Sequence, residues 1–121
     1  MDPEGKVIVV TGAAGGIGGA LVRGLLQRGA RTVVAADIDG GGVERLSGEL
    51  GAARVLPRLL DVSEEHATRT LVGEIEETVG SIDVYFANAG LATASGPEAP
   101  DEEWDAQWRI NVMSHLSLIH I

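Results

Sequence analysis

The chain has no cysteine, so neither a disulfide framework nor thiolate chemistry is open to it. Aromatic residues are scarce: two Trp, one Tyr and one Phe among 121 residues. That profile disfavours an aromatic-rich β sandwich. Positive charge is also short. Nine Lys and Arg against 18 Asp and Glu leave a net charge of −9, which repels the phosphates of nucleic acids and of anionic membranes. Neither is expected as a partner. No apolar run approaches the roughly 20 residues of a transmembrane helix. The opening Met1-Asp2-Pro3-Glu4 is acidic, and Val7–Val10 is too short for a secretory core, so a cytoplasmic location is expected. His66, His115 and His120 have no cysteine partners and no H-x-x-x-H spacing, so no metal site is expected.

Apolar residues make up 45% of the chain, mainly Ala, Val, Leu and Ile, and 17 residues are glycine. Strand-like and helix-like patterns alternate throughout. Lys6–Val10, Arg31–Ala36, Arg54–Leu60 and Asp83–Ala87 read as strands, the third an edge strand because it carries Pro57. Ile17–Arg28 reads as a helix with Ile17, Leu21, Val22 and Leu25 at core spacing, stopped by Gly29. Val43–Leu50 reads as a short helix. A longer one is capped by Ser63 and runs to about Val79, and a last one is capped by Asp101 and reaches at least His115. Strands alternating with crossover helices predict an α/β fold with a doubly wound parallel sheet. Right-handed crossovers place the strands in the order 3-2-1-4, with a crevice between strands 1 and 4. Residues 1–121 read as one dinucleotide-binding domain or part of one.

The densest signal is Thr11-Gly12-Ala13-Ala14-Gly15-Gly16-Ile17-Gly18, directly behind the apolar run Val7–Val10. A buried strand feeding a glycine turn and then a helix is a phosphate-binding device. Free N–H groups at a helix N-terminus favour an anion such as a pyrophosphate, and glycine lets the backbone approach it. The plainer alternative is a flexible turn before a helix. Asp37 ends the second strand about 20 residues beyond the turn, where a carboxylate can accept hydrogen bonds from the adenosine ribose. The same carboxylate opposes a 2′-phosphate. Uncharged Ala13, Ala14 and Gly15, with Ile38 after Asp37, supply no relieving cation. NAD is therefore expected over NADP, unless Asp37 is simply a loop residue beside Asp39 that caps the next helix.

The spacing Thr11-Gly12-x-x-x-Gly16-x-Gly18 resembles the nucleotide-binding turn of the short-chain dehydrogenase/reductase family. The resemblance implies a Rossmann-like fold, with Gly12, Gly16, Ile17 and Gly18 at the cofactor. It also implies that Asp61-Val62 holds the adenine, although Asp61 could instead cap the following helix. Asn88-Ala89-Gly90 is similar to the family's Asn-Asn-Ala-Gly, with Ala87 departing at the first position, and stands where the backbone passes the cofactor ribose. Asn111 matches the asparagine of the family's catalytic tetrad; the alternative is a surface Asn. An Asn inside a helix is a poor helix former and invites a reason. Trp104 and Ile110 read as packing anchors of the same helix.

Family members finish their chemistry with a Tyr-x-x-x-Lys pair and a preceding Ser. Here the only lysine is Lys6 and the only tyrosine is Tyr85, and neither matches. The resemblance covers residues 5–116, about half of a typical member. It implies the NAD-binding half of an alcohol or ketone oxidoreductase, homo-oligomeric when full length and inactive as this half alone. The alternative is a non-catalytic NAD-binding regulatory or scaffold module. Leu116–Ile121 breaks the helical pattern without a cap or polar stop. The expectation is a truncated reading of a longer gene after about four strands, its last few residues not necessarily native. Val112, Met113, Leu116 and Ile119 are then expected to be exposed.

Overall fold

A computed structural model describes residues 1–121. The chain runs β1 (Val7–Thr11), α1 (Gly16–Gln27), β2 (Thr32–Asp37), α2 (Gly40–Leu50), β3 (Val55–Leu59), α3 (Glu65–Thr78) and β4 (Val84–Phe86). It then runs α4 (Asp101–Trp108), a π-helical turn (Arg109–Met113) and α5 (Ser114–Ile119). The four strands form one parallel sheet in the order β3-β2-β1-β4, as the crossover argument requires. β1 and β2 are apolar without alternation because helices cover both their faces. Pro57 indeed lies on an edge strand.

Two cores flank the sheet. On one face Ile8, Val10, Val33, Ala35 and Val55 pack against Val22, Leu25 and Leu26 of α1 and Val43 and Leu46 of α2. On the other, Val7, Val9, Val34 and Ala36 pack against Leu71 and Ile75 of α3. Ile8 and Ile75 are fully buried, each contributing about 1.5–3 kcal/mol. The chain winds outward from β1 to β3 and then returns to place β4 on the other side of β1. That reversal opens a crevice at the C-terminal ends of β1 and β4.

Several local expectations are corrected. α2 begins inside Gly40-Gly41-Gly42, three residues before Val43, because the Asp39 side chain accepts a hydrogen bond from Gly42 N (2.9 Å) and overrides poor glycine propensity. Ser63 does not cap α3. Its N–H and hydroxyl both donate to Asp61 Oδ1 (2.9 and 2.7 Å), so the helix starts beyond an uncapped Glu64. Asp101 is the first residue of α4, after Pro100, and acts with Glu102 and Glu103 on the helix dipole instead of as a cap. β4 is only three residues long, since Asp83 turns its carboxylate to Val7 N (2.8 Å) and Asn88 N closes on Phe86 O.

Ile17 is 78% exposed and so is no part of the α1 core. Trp104 is exposed rather than an anchor, while Ile110 is half-buried. Leu116–Ile121 does not break the helix, which continues through Ile119. Val112, Met113, Leu116 and Ile119 are exposed, as expected.

Candidate functional site

Everything at the crevice hangs on the end of β1. The Thr11 hydroxyl donates to Phe86 O (3.3 Å) and accepts from Asn88 N and Ala89 N (both 3.1 Å). Its one proton and two lone pairs are thereby used up. Asn88 Nδ2 adds a bond to Thr11 O (3.1 Å). The segment after β4 is thus fastened to the turn after β1. At the seam Gly12 sits at φ +68°, and a Cβ there would lie 2.9 Å from Ala89 Cα. A Cβ on Gly18 would collide with the Gly12 carbonyl. These two glycines let strand, turn and helix close up, so α1 meets the crevice end-on. Its N-cap is Gly15, which offers no side chain to the first-turn N–H groups.

Two contiguous clefts result. The larger, about 330 Å³, is lined by Gly12, Gly16, Ile17, Gly18, Asp37, Asn88, Ala89 and Gly90, among others. The smaller, about 150 Å³, shares Gly12, Asp37, Ala89 and Gly90 and adds Asp61, Val62, Ile38, Leu60, Leu91 and Ile110. Every residue anticipated at the cofactor therefore lines one continuous surface. Ile17, misplaced as core, is a wall of the larger cleft.

Asp37 stands where the clefts join. Its Oδ2 accepts from Ala14 N (3.0 Å) and its Oδ1 from Asp39 N (2.9 Å). Each oxygen keeps a lone pair for a further donor. Asp61 closes the turn before α3 through Ser63 without capping the helix, and it lines the smaller cleft. Asn111 lines neither cleft. From the π-helical turn its Oδ1 accepts from Leu91 N (2.8 Å) and its Nδ2 donates to Leu91 O (2.7 Å). Asn111 therefore clamps the loop that walls the smaller cleft. π-turns inside helices are frequent at functional sites.

Sequence reasoning missed Thr11, Leu91 and Ile110. The use of all three hydrogen-bonding capacities of Thr11 has only one trace in the sequence, its position at the head of the glycine turn. The remaining chemistry-bearing residues lie elsewhere. Lys6 precedes β1, at the far end from Gly12. Tyr85 faces α3 and α5 on the other side of the sheet, where burial pushes its phenol up to about 12. It holds its proton at neutral pH. No group of three His, Asp or Glu side chains converges as a metal-ligating set.

A glycine-rich cradle at a helix N-terminus, with a carboxylate at the end of the neighbouring strand, fits the pyrophosphate and ribose of a dinucleotide. The chain's similarities agree. The pattern described as short chain dehydrogenase matches residues 6–121. The (−)-isopiperitenol/(−)-carveol dehydrogenase of Mentha piperita is 36% identical over 110 residues, covering 88% of this chain and 42% of that protein. Among solved structures, 3-ketoacyl-(acyl-carrier-protein) reductase from Brucella melitensis complexed with NADH superposes with a TM-score of 0.88 at 31% identity, over 97% of this chain and 48% of that one. A short chain dehydrogenase/reductase from Burkholderia phymatum in complex with NAD gives a TM-score of 0.90 at 30% identity, over 97% and 42%. The chain spans less than half the length of these proteins.

Proposed function

The chain belongs to the short-chain dehydrogenase family, and from that premise we propose that it is the NAD-binding part of an oxidoreductase acting on an alcohol or ketone. The family accounts for a nicotinamide cofactor in general. The preference for NAD over NADP rests on one observation: the Asp37 carboxylate, at the junction of the two clefts, has no cation hydrogen-bonded to it. It can accept from the ribose hydroxyls, and it would repel a 2′-phosphate.

In this reading Gly12, Gly16, Ile17 and Gly18 hold the pyrophosphate, with α1 directing its N-terminus at the negative charge. Asp61 and Val62, with Ile38 and Ile110, form the adenine slot. Asn88, Ala89 and Gly90 hold the second ribose. A bound nicotinamide supplies hydride exchange with a carbinol or carbonyl carbon. Asn111 takes its place in the tetrad by fixing the Gly90–Leu91 backbone beside that site. Residues 1–121 hold no Tyr-x-x-x-Lys pair, so they bind without turning substrate over. We place the protein in the cytoplasm, as a homo-oligomer in its full-length form; no helix here is long and apolar enough to cross a membrane.

Titration with NADH and NADPH, followed by nicotinamide fluorescence, tests the reading. NADH is expected to bind at least about tenfold more tightly, the worth of roughly 1.4 kcal/mol. Asp37→Asn should weaken NADH and narrow the gap. Equal affinity for the two cofactors in the unmodified chain would overturn the assignment to NAD.

A further inference from the structure

Beside the glycine turn, adjoining the larger cofactor cleft at Gly15, lies a separate polar cavity of about 240 Å³. Ala13, Ala14 and Gly15 of the turn form one wall, and Gly42 and Arg45 of α2 form another. Gly15 also lines the larger cofactor cleft, so the two spaces meet across that residue. Two arginines reach the cavity. Arg23 is paired with Glu49, whereas Arg45 is held only at 3.9 Å, by Asp39 Oδ2. Asp39 is also fastened to the site itself. Its N–H donates to Asp37 Oδ1, and its own Oδ1 caps α2 through Gly42 N. The packing there is close: a Cβ on Gly42 would lie 2.7 Å from Ala14 Cβ and 2.6 Å from Asp39 Oδ2.

We propose that Asp39 is a second determinant of cofactor choice, acting together with Asp37 by adding negative charge at the ribose end and by restraining Arg45. This rests on the reading that Asp37 receives the adenosine ribose. A 2′-phosphate there meets two carboxylates two residues apart, both well within a Debye length. The arginine that α2 carries to the cavity beside the turn is meanwhile engaged by one of them. Both partners of that pair are largely exposed, with side chains 77% and 58% accessible. The restraint is therefore weak and readily released. Asp37 alone then does not account for the discrimination, and replacing it alone leaves Asp39 opposing the phosphate.

The test is titration of the 121-residue chain and its variants with NADH and NADPH, followed by nicotinamide fluorescence at low salt and at about 0.5 M salt. Asn caps a helix about as well as Asp, so Asp39→Asn keeps α2 and should leave its thermal melt in place. It is expected to tighten NADPH about threefold or more while NADH stays within about twofold, a gain of the size an exposed charge gives. Arg45→Gln added to Asp39→Asn should reduce the gain to the part that comes from removing the carboxylate charge, and high salt should shrink what remains. Unchanged NADPH affinity in Asp39→Asn would overturn the role of Asp39 while leaving that of Asp37 intact, and a gain wholly unaffected by Arg45→Gln would overturn the restraint of Arg45. Failure of the underlying reading looks different. The unmodified chain would then bind both cofactors equally, and Asp37→Asn would leave NADH binding unaltered.

Discussion

Thr11 holds more of the crevice together than any other single side chain. It closes three hydrogen bonds across the seam between β1 and the segment after β4. Thr11→Val preserves shape but leaves the Ala89 N–H without its acceptor and the Asn88 N–H with Phe86 O alone, in a region already half-buried. We expect a loss of about 1–3 kcal/mol in urea unfolding, with weaker NADH binding because Asn88–Gly90 loosens. A variant as stable as the parent would show that water replaces the hydroxyl. Tyr85 gives a pH signature. Its folded pKa is raised from 10.0 to about 12 by burial. The folded state therefore keeps a proton that the unfolded chain releases, and stability is full below pH 10 and falls from there toward 12. Tyr85→Phe should flatten that fall, measured as the midpoint of urea unfolding against pH. An unchanged slope would remove Tyr85 as its cause.

At the level of elements, the long C-terminal helix is two α-helical pieces joined by a π-helical turn, and that turn aims Asn111 at Leu91. Asn111→Ala removes both bonds to an exposed backbone, so global stability should drop by only about 0.5–1.5 kcal/mol. The Leu91 amide, however, should exchange markedly faster with solvent deuterium. Asn111→Asp keeps the acceptor and should leave that amide protected. Rapid exchange in both variants would mean the clamp acts through the Asn111 Nδ2 donor alone. Elements also show which local signals survive packing. Pro57 marked an edge strand and sits on one. Ser63 and Asp101 had the composition of caps, yet Asp61 claims Ser63 and Pro100 precedes Asp101. A cap depends on neighbouring backbone that composition does not reveal.

On the scale of the whole molecule, one side of the sheet is less finished than the other. β4 lies at an edge with three residues paired, and Val112, Met113, Leu116 and Ile119 expose apolar surface nearby. Exposed strand edges and contiguous apolar patches promote association. The chain is therefore expected to self-associate as its concentration rises, and Leu116→Lys with Ile119→Lys should reduce this in sedimentation velocity. A single monomeric boundary at every concentration would contradict the expectation.

What the residues alone determined was the order of things along the chain. Apolar runs, glycine punctuation and right-handed crossovers were enough for four parallel strands in the order β3-β2-β1-β4. That order by itself brings the ends of β1, β2 and β4 together, with Gly12, Asp37 and Asn88 upon them. These are local signals with a fixed handedness, and they need no knowledge of distant contacts. The tertiary structure decided what the side chains do once assembled. Thr11 meets Asn88 across 77 positions, Asn111 meets Leu91 across 20, and Ile17 faces a cleft instead of a core. No periodicity encodes such pairings. They exist because buried and half-buried polar groups must find partners wherever the folded backbone places them.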